Sequence, residues 1–197
     1  MSGPFVLELI PHPDSPSRLV SGLQVEVGVR CEGTIELVYH LVGLPAQLRV
    51  PVAASACRSD GLWRHTCCEV FIAGPQPPAY REFNLSPSGQ WQCYDFRDYR
   101  DGGPLPAALA PVIRCEAGAG EMRLTAAIPA ADLPSGKRLR LGLCAVVEAA
   151  DGSLSWWALR HPPGRPDFHH PDTFTLDLDL TVHGQVAVPT HASCVRP

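Results

Sequence analysis

Apolar side chains recur at every second position along most of this chain, and this period constrains the fold more than any other feature. Leu23, Val25, Val27 and Val29 alternate with polar residues or glycine. The period is typical of β-strands that bury one face, because successive side chains of a strand point to opposite sides. The same alternation returns at positions 35–41, 70–72, 83–85, 94–96, 124–128 and 174–180.

Proline and glycine separate these segments. The chain has 21 Pro and 17 Gly among 197 residues, well above the roughly 12% expected for the pair. This excess argues against a helical bundle, and we expect only one helical turn, at 129–133. Arg138–Glu148 is apolar on both faces and is predicted to be a central strand. Many short strands joined by Pro/Gly turns predict an all-β fold, either an antiparallel β-sandwich or a barrel.

The pattern covers a single domain. It extends over residues 1–182, and the segment 183–197 loses it, so we expect an irregular C-terminal tail there. The formal net charge is −4, from 16 basic and 20 acidic residues. Because no polybasic stripe is present, nucleic acid and anionic membranes are not expected partners. No signal-peptide pattern and no run of 18 apolar residues occurs, so we expect a cytoplasmic protein.

The cysteines are expected to be reduced thiols rather than disulfides or zinc ligands. A cytoplasmic location favours free thiols, and no C-x-x-C pair is present to bind zinc. We therefore expect cysteine to act as a small apolar filler on strands, and we expect no metal site. The eight positions are Cys31, Cys57, Cys67, Cys68, Cys93, Cys115, Cys144 and Cys194.

Carboxylates and an amide share one face of two neighbouring predicted strands. Residues 62–73 are predicted to form one strand, on which Trp63 and Glu69 have the parity opposite to the core. On the next strand, Glu82 and Asn84 have the outward parity. Pairing of the two strands would place Glu69, Glu82 and Asn84 on one polar sheet face. The structural alternative for Glu69 is an ion pair with an arginine.

A second cluster of polar and aromatic residues lies late in the chain, in and around a proline-rich loop at 162–171. Indole faces pack on sugar C–H groups, while carboxylate, amide and guanidinium groups bind hydroxyls, so these residue types fit a sugar site. The alternative is that each tryptophan belongs to the core. The candidates in this cluster are Trp156, Trp157, Arg160, His161, His169 and His170.

Catalytic signals are sparse. No nucleophile elbow, zincin motif or phosphate-binding loop occurs. Glu69 and Glu82 could be read as a glycosidase pair, and Cys67 near His65 as a thiolate–imidazole pair. Neither has further support in the sequence. We therefore expect no catalytic residues, and the chain is predicted not to be an enzyme.

Several strings resemble bacterial DOMON-like proteins, which are related to the family 9 carbohydrate-binding modules. They are LWRHTCCEVFI at 62–72, YREFNLSPSG at 80–89 with Trp91, WALRHP at 157–162 and PDFHHP at 166–171. The resemblance covers about residues 4–180. It implies a two-sheet antiparallel β-sandwich, immunoglobulin-like or jelly-roll-like, with a ligand site on one concave face.

In family 9 modules two tryptophans clamp a terminal sugar. The resemblance matches Trp63 and Glu69 to the first tryptophan and its acid, Trp156 or Trp157 to the second, and Asn84 more loosely. Wider relatives bind haem through Met/His or His/His pairs, and Met122 is the only internal methionine here.

The expected function is therefore non-catalytic binding of a small sugar-like ligand, without a cofactor. The alternatives are a haem-binding electron-transfer domain or a ligand-free interaction module. The oligomeric state is left open. The predicted ligand-binding residues are Trp63, Glu69, Glu82, Asn84, Trp156, Trp157, Arg160, His161, His169 and His170.

Overall fold

The computed structural model describes residues 5–30, 32–52 and 54–181. The predicted tail at 183–197 lies outside these residues, as do Cys31 and Cys194. The strands in chain order are β1 (Phe5–Pro11), β2 (Val20–Val29), β3 (Ile35–Gly43), β4 (Cys67–Ala73), β5 (Tyr80–Leu85), β6 (Trp91–Asp98), β7 (Asp101–Pro104), β8 (Val112–Ala117), β9 (Glu121–Ile128), β10 (Arg138–Glu148), β11 (Leu154–Ala158) and β12 (Leu176–Asp179).

Two antiparallel sheets form the layers of a β-sandwich, which confirms the predicted fold class. The first sheet has the order β8-β9-β3-β2-β1, and the second has the order β7-β6-β5-β4-β10-β11. Strand β1 joins them, because residues 5–9 pair with β2 and residues 10 and 11 pair with β11. Strand β12 pairs with the first residues of β10.

The core between the sheets is built from the parities that the alternation predicted. Val25, Leu37 and Leu124 face inward from the first sheet, and Val70 and Phe83 from the second, each with 0% of its surface exposed. Such burial of aliphatic and aromatic surface is the main term that stabilises a sandwich. The predicted central strand β10 has the expected bounds, with neighbours on both sides.

The predicted strand at 62–73 is wrong over its first residues. Leu62–Arg64 forms a 3₁₀ turn, and the strand begins only at Cys67. Gly61 precedes the turn with φ +74°, a left-handed conformation that favours glycine and redirects the chain. The strand-face argument therefore does not apply to Trp63, whose side chain is 47% exposed.

The inward face assigned to β6 is also wrong. Tyr94 and Phe96 were expected to follow the buried alternation, yet Trp91 and Cys93 occupy the core between the sheets. Tyr94 and Phe96 lie on the opposite face of the second sheet. The parity was ambiguous because β6 carries large apolar residues on both faces. Phe174, the first residue of the last predicted alternation, lies before β12.

The remaining local expectations hold. The helical turn at 129–133 is a 3₁₀ turn at Ala130–Asp132. The six cysteines in the described part of the chain are free thiols, and Cys67, Cys68, Cys93 and Cys144 are buried on strands. Across the described ranges, no helix combines the length and apolar character that crossing a membrane requires.

One polar contact crosses the core. Tyr39 on β3 is 1% exposed, and its hydroxyl donates a hydrogen bond of 2.8 Å to the backbone oxygen of Glu69 on β4. Burial raises the pKa of the Tyr39 hydroxyl well above its ordinary value, so this group stays protonated and remains a donor. The first sheet thereby holds the backbone of β4 at one defined position.

Tyr39→Phe should destabilise the protein by about 1–2 kcal/mol, because it removes one buried hydrogen bond without changing the ring. Chemical denaturation of the two proteins measures this difference. Val52→Ala is the control, since Val52 is 87% exposed and lies outside the strands, and its truncation should cost less than about 0.5 kcal/mol. Equal stability of wild type and Tyr39→Phe would show that the cross-sheet bond does not contribute.

Candidate ligand-binding site

A cleft of about 380 Å³ lies on the outer face of the second sheet, away from the core. Its floor is formed by β4, β5, β6, β10 and β11, and its walls by the 3₁₀ turn at Leu62–Arg64 and the loop after β11. This volume is within the range of small-molecule sites. The lining residues are Trp63, Glu69, Phe71, Glu82, Tyr94, Phe96, Arg100, Val146, Trp156, Pro166, Phe168 and His169.

The loop after β11 is anchored by a second apolar cluster on this outer face. Phe168 and Phe174 pack with Phe71, Tyr80 and Phe96 from β4, β5 and β6. The rings of Tyr80 and Phe96 are stacked with their centroids 4.8 Å apart. The central part of the second sheet is therefore buried on both faces, and the cleft is open only beside this cluster.

Tryptophans from two distant segments reach the cleft. Trp63 comes from the 3₁₀ turn before β4, and Trp156 comes from β11, which lies two strands away from β4 in the sheet. Trp156 and Trp157 are consecutive on β11 and therefore point to opposite faces. Trp157 is 4% exposed in the core, where its indole N–H donates to the Ser155 hydroxyl at 3.0 Å.

Glu69 lies in the cleft floor at the centre of the second sheet. It is 2% exposed, and its Oε1 has no hydrogen-bond partner within the described part of the chain. Burial, followed by repulsion from Glu82, raises the pKa of this carboxyl well above its ordinary value. No arginine pairs with Glu69 among the described residues, so the expected structural alternative is wrong.

Glu82 is the neighbouring acid in the cleft. The β4–β5 register places Glu82 opposite Phe71 and Asn84 opposite Glu69, which confirms the predicted shared face. The Asn84 amide donates to Glu82 Oε1 at 2.5 Å, and Asn84 itself is fully buried behind the acid. Burial raises the pKa of Glu82 to about 7, although the hydrogen bond from Asn84 acts in the opposite direction.

His169 faces Glu82 from the loop. Its Nδ1 lies 2.8 Å from the Tyr80 hydroxyl, which itself accepts a hydrogen bond from the Arg100 backbone N–H. We assign the hydroxyl proton to the bond with Nδ1, which leaves the proton of the neutral ring on Nε2, the nitrogen that faces the Glu82 carboxyl. Burial, with a contribution from Arg100, lowers the pKa of His169 to about 4. Nε2 lies 3.8 Å from Glu82 Oε2, too far for a direct hydrogen bond.

Arg100 contributes a cationic group to the rim of the cleft. It occupies the turn between β6 and β7 with φ +54°, an uncommon conformation for a residue other than glycine. Its guanidinium donates to Asp167 Oδ1 at 2.7 Å, and Tyr99 donates to Asp167 Oδ2 at 2.6 Å. These bonds tie the loop after β11 to the β6–β7 turn.

The structure brings together five of the predicted residues: Trp63, Glu69, Glu82, Trp156 and His169. The other five do not line the cleft. Trp157 is in the core and Asn84 is behind Glu82, while Arg160 is exposed. His161 bonds the Ile10 backbone oxygen and packs on His12, 4.9 Å away. His170 accepts from the Asp172 backbone N–H and caps the 3₁₀ turn at Pro171–Thr173.

Several lining residues carried no recognisable sequence signal. Phe71, Tyr94, Phe96, Val146 and Phe168 are apolar or aromatic, and the sequence alone does not distinguish them from core residues. Arg100 lies in a short hairpin turn, and only the fold brings it to Asp167. The one available indication was that strands of the second sheet carry apolar residues at both parities. This pattern indicates that other segments cover the outer face of the sheet.

The geometry does not support a thiolate–imidazole pair, a metal site or haem binding. The Cys67 thiol is buried with its pKa raised well above the ordinary value by desolvation, and His65 instead bonds Glu148 at 2.7 Å. No group of three or more metal-ligating side chains occurs among the described residues. For haem, Met122 is 2% exposed in the core and His169 is the only histidine among the lining residues. The cleft residues therefore do not form an axial pair that fits haem.

Comparisons with known proteins identify relatives of the fold. No family model and no curated protein matches the sequence. A solved structure from Bacteroides uniformis, provisionally described as a carbohydrate-binding protein, superposes with a TM-score of 0.56 at 16% identity, over 87% of this chain and 84% of that chain. A family 9 carbohydrate-binding module from Caldicellulosiruptor kristjanssonii, solved with cellotriose, gives 0.47 at 12% identity, over 81% and 75%.

Glu82→Gln should stabilise the protein progressively as the pH rises from about 4.5 to above 7. Burial raises the pKa of Glu82 from its ordinary value of 4.5 to about 7 in the folded protein. As the pH rises between these two values, the wild type loses stability relative to the variant, because the unfolded chain ionises this carboxyl more readily than the folded protein does. Each pKa unit corresponds to about 1.4 kcal/mol. Urea denaturation of both proteins across this pH range measures the difference in stability. His169, whose pKa is lowered by burial, gives the opposite pH trend in each protein, so its contribution cancels.

Glu116→Gln, on the exposed edge strand β8, is the matched control for this measurement. It should give a small stability difference at every pH. A Glu82→Gln difference that is equally constant from pH 4.5 to 8 would contradict the burial of the Glu82 carboxyl.

Proposed function

We propose that this protein is a non-catalytic binding domain that holds a carbohydrate or sugar-like ligand in the cleft on the second sheet. The observation that carries the proposal is the combination of two tryptophans, Trp63 and Trp156, with two buried carboxyls in one small cleft. A sugar presents apolar C–H faces and polar hydroxyl edges, and it therefore requires both kinds of surface in one site.

The aromatic residues supply the apolar part of this recognition. Trp63 is half-exposed and Trp156 is partly exposed, so each has indole surface available to a ligand. Burial of this surface by a sugar ring contributes about 25 cal/mol per Å². Both indoles line the same cleft, and this shared position favours a binding role over a packing role.

The polar groups supply directional hydrogen bonds for recognition of the ligand. Glu69 Oε1 has an unused hydrogen-bonding position, and the Nε2–H of His169 points towards the gap beside Glu82. Arg100 adds guanidinium donors at the rim. A hydroxylated ring could donate to the carboxyls and accept from His169 and Arg100, so donors and acceptors are both present.

The fold neighbours are consistent with this proposal. The Bacteroides uniformis protein shares the sandwich and is provisionally described as carbohydrate-binding. At 16% identity that similarity supports the fold, and the ligand proposal rests on the cleft residues themselves.

Trp63→Ala and Trp156→Ala should each weaken sugar binding by roughly tenfold or more, because each removes indole surface from the ligand. The measurement is a thermal-shift screen of mono- and disaccharides, followed by calorimetry with the sugar that gives the largest shift. Trp63→Ala should leave the melting temperature of the free protein nearly unchanged, since this side chain lies on an exposed turn.

Trp157→Phe is the matched control, one residue away on the opposite face of β11. It should destabilise the protein by about 1–3 kcal/mol, because it leaves a cavity and removes the hydrogen bond that the Ser155 hydroxyl accepts. Its affinity for the sugar should stay within about threefold of the wild-type value. Binding that survives both cleft substitutions, or a panel in which no sugar shifts the melting temperature, would refute the proposal.

A further inference from the structure

Two acids line the cleft, and Arg100 is the one permanently charged base among its lining residues. Glu69 and Glu82 lie in its floor, and neither forms an ion pair with an arginine or lysine among the described residues. Arg100 at the rim lowers the pKa of Glu82 through its positive charge, but its guanidinium is paired with Asp167 at 2.7 Å. Asp60 lies just outside and accepts a hydrogen bond from the Tyr94 hydroxyl at 3.2 Å.

The other nearby ionisable groups do not balance these acids. His169 is neutral, since its pKa is lowered to about 4 by burial and by Arg100. Arg64 is not among the lining residues, and its guanidinium carbon lies 5.1 Å from the centre of the Trp63 ring. Two buried carboxyls without a cationic partner are unusual, because a buried charge normally requires one.

We propose that the ligand carries a positively charged nitrogen, and that the sugar bound in this cleft is an amino sugar with a free ammonium group. The ammonium would donate to Glu69 Oε1, the buried oxygen that has no partner within the described residues, and to Glu82 Oε2, which lies 3.8 Å from His169 Nε2. This inference rests on the proposed function and narrows it to one class of sugar.

The aromatic surroundings favour the same ligand. Trp63, Trp156, Phe71, Tyr94 and Phe96 line the cleft around the two acids. Ring faces attract cations through their quadrupoles, and this attraction strengthens where water is excluded. An ammonium would also hold the two carboxyls in their charged forms, in opposition to the desolvation that favours protonation.

A neutral sugar would use the same acids differently. It would meet Glu69 mainly in its protonated, uncharged form, and its hydroxyls would supply no cation to favour ionisation of the carboxyl. The distinction is measurable, because an amine and its parent alcohol have nearly the same shape and differ in charge.

The experiment is calorimetry at pH 7.0 with matched sugars. Glucosamine, galactosamine and mannosamine are each compared with the parent hexose and with the neutral N-acetyl derivative. At least one amine should bind roughly tenfold or more tightly than both of its neutral partners, since hydrogen bonds between charged groups are the stronger kind. Choline is included as a cation without a sugar ring.

Glu69→Gln supplies the variant test. The amide keeps the shape of the carboxyl and removes its charge, so the preference for the amine should fall to within about twofold. Glu116→Gln on β8 is the control and should retain the full preference. A thermal melt of each variant confirms that it is folded.

The outcomes separate this inference from the proposed function. Parent sugars that bind as tightly as their amines would overturn the amino-sugar inference and leave sugar binding intact. Choline binding without any sugar binding would support the cation and overturn the sugar. An amine preference that survives in Glu69→Gln would overturn the assigned role of Glu69, and the absence of any binding would overturn both proposals.

Discussion

Residues 67–72 of β4 are buried on both faces of the strand, and the site depends on this constraint. Its inner side packs against the first sheet, and its outer side lies under the loop after β11. A carboxyl on such a strand cannot be hydrated freely. Glu69 is therefore held in a fixed position away from bulk water, with its backbone oxygen bonded to Tyr39 across the core.

The burial of two acids opposes folding and would favour the proposed ligand. Desolvation raises the pKa of Glu69 and of Glu82, so the free protein holds them largely as neutral acids at low pH and incurs a stability penalty when they ionise. The Asn84 amide partly offsets this penalty at Glu82. Functional sites commonly retain such locally unfavourable groups, because a ligand that satisfies them gains the corresponding free energy.

The sequence predicted the features that depend on side-chain parity. The alternation set the core faces of β2, β3, β5 and β9, and the pairing of β4 with β5 brought Glu69, Glu82 and Asn84 to one face. The sequence did not predict features that depend on which face of a sheet is covered by other segments. Parity cannot tell which side of β6 meets the core when both sides are apolar, and a residue beside a turn, such as Trp63, has no parity to use.

Contacts between distant segments were equally invisible. Arg100 and Asp167 are 67 positions apart, and Tyr80 and His169 are 89 apart. No local pattern links such pairs, since only the closed sandwich brings the β6–β7 turn beside the loop after β11. These contacts fix the loop by an ion pair, a hydrogen bond and the buried Phe168 ring. Because the wall is anchored in three ways, a ligand need not order it on binding, and the entropic cost of recognition is correspondingly smaller.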